Sequence, residues 1–270
     1  RAIVAASRAR RRRRKPPPAP PPDAIAREYE RALRARQAGF WRVVWDVVGP
    51  HLADLRDLSP LRQDGPAELL IGRIINDIVV AYGVRFPDAE LGQLAFDFAR
   101  KISDYNRRQL NEQFRAVIGI DLPASDTHLG EALDLFRTQN VDLITRMTQD
   151  QLGRIETLLT QHARSGSRVE QIRRELQEQQ SLGRARAELI ARDQVLKLNG
   201  QLTQLRQKEA GVEEYEWNTS GDERVREFHR RLNGTVHRWD NPPVTDKKGR
   251  RNHPGEDFQC RCVAIPIINL

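Results

Sequence analysis

Cys260 and Cys262 stand one residue apart, a spacing that in extended backbone puts both thiols on the same side. Two thiolates so placed can share one metal ion, whereas a disulfide between them would close a strained small ring. A tetrahedral zinc site needs two more ligands. His253 lies seven residues before Cys260 in a stretch long enough to fold back, and His229 and His237 flank an Asn233-Gly234 turn. The candidate set is therefore Cys260, Cys262, His253 and His229, with zinc as a structural cofactor. The spacing fits no standard finger, and two reduced cysteines packed beside hydrogen-bonded histidines are the competing reading.

The segment from Asp222 to His229 holds the other reactive groups. His229 with Asp222 could serve as an acid-base pair in a nuclease-like or transferase-like site. Alternatively, Asp222 pairs with Arg224 or Arg226 to shape a binding surface; in the bland reading Asp222 caps a helix and the arginines brace the sheet and loop. The bland reading is favoured, because no second carboxylate or nucleophile stands at a convincing distance in sequence, and no catalytic residue is assigned.

Charge is concentrated at the start. Residues 1–15 contain Arg1, Arg8, Arg10, Arg11, Arg12, Arg13, Arg14 and Lys15, eight basic groups without an acid. The chain has 45 basic and 37 acidic groups, so the other 37 basic groups balance the acids and the net charge of +8 belongs to the tail. Like charges in a block stay extended until they meet an acidic surface or a nucleic acid, where counterion release favours binding. Arg8, Arg10–Arg14 and Lys15 are thus the candidate residues for binding DNA or a protein partner, against the alternative of a solubilising leader. A free DNA-binding protein would carry a basic body too, and this body is neutral. Prolines follow the basic run where a signal peptide would have an apolar stretch. Charges interrupt every apolar segment well before about 20 positions, which argues against a transmembrane helix. Two cysteines in 270 residues argue against a disulfide-stapled secreted fold.

The elements that must position these groups follow from periodicity. Pro16–Pro18 and Pro20–Pro22 read as a polyproline II spacer that holds the tail away from the body. Asp23 can cap a helix to Val48, with Phe40, Trp41, Val44, Trp45 and Val48 on one core-facing stripe and Gly49-Pro50 as its stop. Further helices are predicted over 66–82, with Leu69, Leu70, Ile74, Ile75, Ile78 and Val79 inward, and over 88–118, with a break near Asp104. Another runs from Ser125 or Asp126 to Leu159, another over 169–179, and a last one beyond Gly183 over 184–210. After Gly211 the period becomes two: Tyr215, Trp217 and Thr219 alternate with Glu214, Glu216 and Asn218, the mark of a half-buried strand. A short helix over 223–232 capped by Asp222, a strand over 235–239, a loop over 240–259 and a closing strand over 261–268 complete the chain. The fold class is α+β: a mostly helical N-terminal part with an extended basic and proline tail, then a small α+β domain of short antiparallel strands. Domains are expected at 1–22, 23–165 and 166–270.

In their order, Arg184 to Gln194, Asp222 to His229 and Pro254 to Cys262 resemble the phage head morphogenesis family, the minor head proteins similar to protein F of phage Mu. The resemblance runs from about Arg137 to Pro266 and is strongest in its last third. It implies a minor capsid protein of a tailed phage, bound to the portal protein or the major capsid protein at the capsid interior, and needed for head assembly and genome packaging or delivery. It implies a place in the virion near the portal vertex, host cytoplasm during assembly, no membrane and no enzymatic activity. Packaged DNA is the partner expected for the basic tail. The rivals are a nucleic-acid-processing or toxin-like enzyme using His229 and Asp222, and a DNA-binding protein acting through the tail.

Overall fold

The computed structural model describes residues 13–57, 66–122 and 128–269. In chain order they form β1 (Arg13–Arg14), α1 (Asp23–Val48), a 3-10 turn (Gly49–His51), α2 (Leu52–Asp57), α3 (Pro66–Arg85), α4 (Asp88–Ile118) and α5 (Leu129–Ser165). Then follow α6 (Val169–Glu209), β2 (Glu214–Asn218), α7 (Glu227–Leu232), β3 (Val236–Arg238) and β4 (Val263–Asn269). The class is α+β, as the two periodicities of the sequence require.

Two compact units emerge. Of the described residues, one holds 13–27, 96–122, 128–137 and 192–269, the other 28–95 except 58–65, and 138–191. They do not follow the serial division expected at 165 and 166. The reason is helix length: α4, α5 and α6 span 31, 37 and 41 residues and each contributes to both units. α4 passes Asp104 unbroken, and α6 passes Gly183, where the sequence predicts two helices. The expected caps Ser125 and Asp126 lie outside the described residues.

The helical unit is built on the aromatic stripe of α1. Phe40, Trp41, Val44 and Val48 are buried against Leu52, Leu55, Ile74, Ile78, Ile155 and Leu159 in one core. Trp45, on the edge of the stripe, is partly buried, and its indole N–H donates to Gln180 at 3.3 Å. Edge-on ring contacts tie Phe40 to Trp41 and to Tyr82, at centroid distances of 5.7 and 5.3 Å. α3 corrects the sequence reading, because it is apolar on every side and periodicity alone could not choose its inner face. Ile71, Ile74 and Ile78 are buried, while Leu69 and Val79, expected inward, are exposed together with Val80 and Val84.

The other unit carries the sheet, in the order β1-β4-β2-β3 with antiparallel neighbours. In the register of β2 and β4, Tyr215 stands opposite Pro266 and Trp217 opposite Ala264, so the alternate residues Tyr215 and Trp217 face the core, both fully buried. Pro266 lacks an N–H for a ladder bond. Among the described residues β1 pairs with β4 only at Ile268 and Asn269, so one edge of β4 is open at Pro266. α6 clamps the sheet through Gln207, whose amide donates to the Ala264 carbonyl at 3.1 Å and accepts from the Trp239 indole at 3.3 Å. The proline segment does not hold the chain off as a spacer. Pro16 and Pro22 are buried, Gln113 donates to the Pro17 carbonyl at 2.9 Å, and the Tyr105 hydroxyl donates to the Pro20 carbonyl at 2.8 Å. With no N–H of their own, these prolines leave carbonyls free as acceptors for α4 side chains.

Candidate functional site

β2, α7 and the approach to β4 bring three donors together in the sheet unit. His229 sits in the first turn of α7, and its Nδ1 lies 3.5 Å from the Sγ of Cys260 and 3.5 Å from the Sγ of Cys262. All three donor atoms lie within 4.8 Å of one another, and all three residues are buried. On the far side of the ring, Nε2 is 2.9 Å from Oδ2 of Asp257. Asp257 is held in turn, because its Oδ1 accepts from the Asn252 amide at 2.8 Å. Trp217 packs edge-on to His229 with centroids 5.3 Å apart. Its buried N–H has no well-aligned acceptor among the described residues, but it faces Cys262 and favours a thiolate there.

The turn before the cysteines is fixed by backbone chemistry. Gln259 adopts φ 55°, the only positive φ at a non-glycine among the described residues, which costs on the order of 1 kcal/mol. That twist lets the Cys260 N–H donate to the Asp257 carbonyl at 3.0 Å. The Gln259 N–H points instead to α6, donating to Asp193 Oδ1 at 2.7 Å, and Lys197 balances the same carboxylate from 2.7 Å. Upstream, the Pro254-Gly255 segment lies directly on α6 at Gly200. A Cβ on Gly200 would meet the Pro254 carbonyl oxygen at 2.8 Å, and Gly255 has φ 91° with Gly200 Cα 3.2 Å from where its own Cβ would be.

Two thiols this close to one imidazole share their protons unequally. A hydrogen bond from Cys262 is the main influence that brings the Cys260 thiol down to about 5, against the opposing effect of burial. Cys262 is correspondingly raised, by its hydrogen bond to Cys260 and then by burial. At His229 burial disfavours the charged ring, but Cys260 and then Asp257 outweigh it and raise the imidazole.

Of the four candidate ligands, the fold brings His229, Cys260 and Cys262 together. His253 is elsewhere. It lies between two rings, with Tyr215 and Trp239 centroids at 5.5 and 4.9 Å, and its Nδ1 accepts from the Tyr215 hydroxyl at 2.9 Å. Burial raises Tyr215, so the phenol keeps its proton as donor, and burial, then Lys208, hold His253 down to about 4. His237 stands on β3 opposite Tyr215 with Nε2 2.7 Å from the Thr235 hydroxyl. The low value at His253 fixes a sign. An unfolded chain takes up that proton near pH 6.5 and the folded one does not until about 4, so stability is lost as pH falls through this window. His253→Gln should remove about 2 kcal/mol of the acid-induced loss between pH 7 and pH 4.5 in urea unfolding, whereas an unchanged slope would show that His253 titrates normally.

Asp222 also departs from expectation. It makes a two-pronged ion pair with Arg261, at 2.5 and 2.6 Å, and not with Arg224, Arg226 or His229. This pairing, followed by the Arg224 amide donating at 3.0 Å, holds its carboxyl below the usual range. It caps a turn before α7, whose N-terminal flank is Arg226 and whose first residue is Glu227 rather than Glu223. Arg226 reaches across to the Phe258 carbonyl. The acid-base pair of His229 with Asp222 is thus absent from the described geometry. Of the tail residues, Arg8, Arg10, Arg11 and Arg12 lie outside the described residues. Arg13 and Arg14 form β1, and Lys15 is 2.7 Å from Glu216 on β2. Sequence reasoning missed Asp257. The rule that a ligating histidine turns its second nitrogen to a carboxylate would have directed attention to the acids of the 240–259 loop.

Residues 153–265 match the family described as Phage Mu protein F like protein. This stretch is a phage Mu F-like region. The resemblance read from about Arg137 to Pro266 is borne out across it. A Haemophilus influenzae protein (strain ATCC 51907 / DSM 11121 / KW20 / Rd) carrying the name "Uncharacterized protein" is 32% identical over 179 residues, which is 65% of this chain and 39% of that protein. The chain thus spans well under half the length of this relative. No solved structure matches. The Mu F-like region contains His229, Asp257, Cys260 and Cys262 as well as Asp193 and Gly200, while the basic tail and α1 to α4 lie before it.

Proposed function

We propose that the chain is a minor head protein of a tailed phage that binds the portal or the inner capsid wall during head assembly, with genome packaging or delivery depending on it. The observation that carries this reading is the Mu F-like match over 153–265. Its setting is the virion, near the portal vertex. Among the described residues no helix is long and apolar enough to cross a membrane. The contact His229 makes to one carboxylate and two buried thiols, with Asp222 engaged by Arg261, favours a binding role over nucleic-acid cleavage.

α3 supplies the docking surface. Leu69, Val80 and Val84 are 63%, 56% and 81% exposed and lie on one side of α3, with Arg73 and Asn76 on the turns between Leu69 and Val80. Single exposed apolar residues need no explanation, but a row of them on one helix marks a face that a partner covers. The Arg-rich tail serves the second partner, packaged DNA, through its phosphates. Replacing Val80 and Val84 by Asp in the full chain should leave helix content unchanged and reduce incorporation into heads at least about tenfold, as removal of a central apolar anchor does. Normal incorporation of a folded double variant would show that α3 is not the docking face. Substitution of Arg10–Arg14 by Ser should separately flatten the salt dependence of DNA binding, by about 0.9 in log-log slope for each phosphate that is no longer neutralised.

A further inference from the structure

We propose that His229 Nδ1, Cys260 Sγ and Cys262 Sγ bind one zinc ion and that Asp257 orients the histidine, with the fourth position of the tetrahedron left to a ligand from outside this set. The distances fit. Zinc bonds of about 2.3 Å to sulfur and 2.0–2.1 Å to nitrogen, spread at tetrahedral angles, separate S from N by about 3.6 Å. The two observed separations are both 3.5 Å. Two thiolates and an imidazole are the soft and borderline donors that select zinc over calcium or magnesium.

The surroundings are those of a ligand set rather than of three chance neighbours. A neutral histidine whose Nε2–H goes to Asp257 must present the lone pair of Nδ1 to the sulfurs, which is the tautomer a metal at that position requires. Asn252 fixes Asp257 in turn, at 2.8 Å. The same Cys, His and Asp could be written as a nucleophile, base and orienting acid. Burial decides between the two: Cys260 and Cys262 are 3% and 7% exposed and His229 is 2% exposed, so the sulfurs are closed to a substrate.

The site's role is to staple. His229 belongs to α7 and the cysteines lead into β4, so one ion ties elements more than thirty positions apart in sequence around a small core of Tyr215, Trp217, Trp239 and Ala264. A metal bond between such elements contributes directly to folding, since the unfolded chain has no preformed site.

The test uses the full chain, reduced and purified without chelator or histidine tag. Metal analysis should find about one zinc per chain, and cobalt added to the stripped protein should give the thiolate charge-transfer and intense visible bands of a tetrahedral site. Cys260→Ser and Cys262→Ser should each abolish both signals, while His253→Gln retains them. Asp257→Asn keeps all three ligands and guards against variants that fail to fold; it should weaken zinc binding about 10- to 100-fold with helix content unchanged. Zinc should also slow alkylation of both cysteines in the wild-type chain. Less than about a tenth of an equivalent of zinc together with no cobalt spectrum would overturn the proposal, as would full zinc content in a folded Cys260→Ser/Cys262→Ser chain.

Discussion

If His229, Cys260 and Cys262 hold zinc as proposed, stripping it from the reduced chain, or replacing Cys262 by Ser, is expected to cost the sheet-bearing unit on the order of 5 kcal/mol, comparable to the whole stability of many small domains. The size follows from what remains. Without the ion, only the weak thiol–imidazole contacts at 3.5 Å link α7 to the approach to β4 at this point. Amide exchange is the measurement, because it separates the two units: protection should fall for β2, α7 and β4 while α1 and α3 keep theirs. Equal protection with and without chelator would show that apolar packing around Trp217 holds the unit alone.

Gly200→Val should have the second largest effect. Even a Cβ at this position lies 2.8 Å from the Pro254 carbonyl oxygen, and the neighbour that must yield is backbone, pinned at Gly255 with φ 91°. Valine adds two methyl groups to that clash, so the loop must lift off α6, at a cost of about 3 kcal/mol or more. The same lift pulls the Gln259 amide from Asp193 and moves Cys260, so zinc affinity and stability should fall together. Gly72→Val, on a helix position with open space around it, is the control and should not destabilise, since valine is a better helix former than glycine. Similar unfolding curves for the two variants would mean that the loop does not press on α6 as described.

How much of this is readable in the residues depends on how local each signal is. α1 and α4 have the ends read from sequence, because Asp23 and Asp88 open strongly periodic stretches and Gly49-Pro50 and Gly119 close two of them. Gly183 reads as a break and is not one. A glycine inside a helix costs only about 1 kcal/mol, which a helix of 41 residues carries without breaking. β1 is invisible to pattern, since an Arg-Arg pair carries no strand periodicity and its order comes from pairing with Ile268 and Asn269. At the site, the types of the donors are legible and their partners are not. Cys260, Cys262 and His229 stand out by scarcity, in a chain with 2 Cys and 6 His. His253 is equally scarce, but its place is set by Tyr215, 38 positions away, a pairing that no spacing rule predicts. Asp222 is taken by Arg261 for the same reason, at a separation of 39 positions.

If the chain is a head component whose absence stops head assembly, purified heads decide the matter. Mass spectrometry should be run on heads from a phage that carries the gene, beside heads made after the gene is deleted. The first sample should contain the chain at low copy with the portal protein. The second should yield few or no DNA-filled heads, with infectivity restored when the full chain is supplied. Filled, infectious heads at normal yield without the chain would contradict a role in assembly.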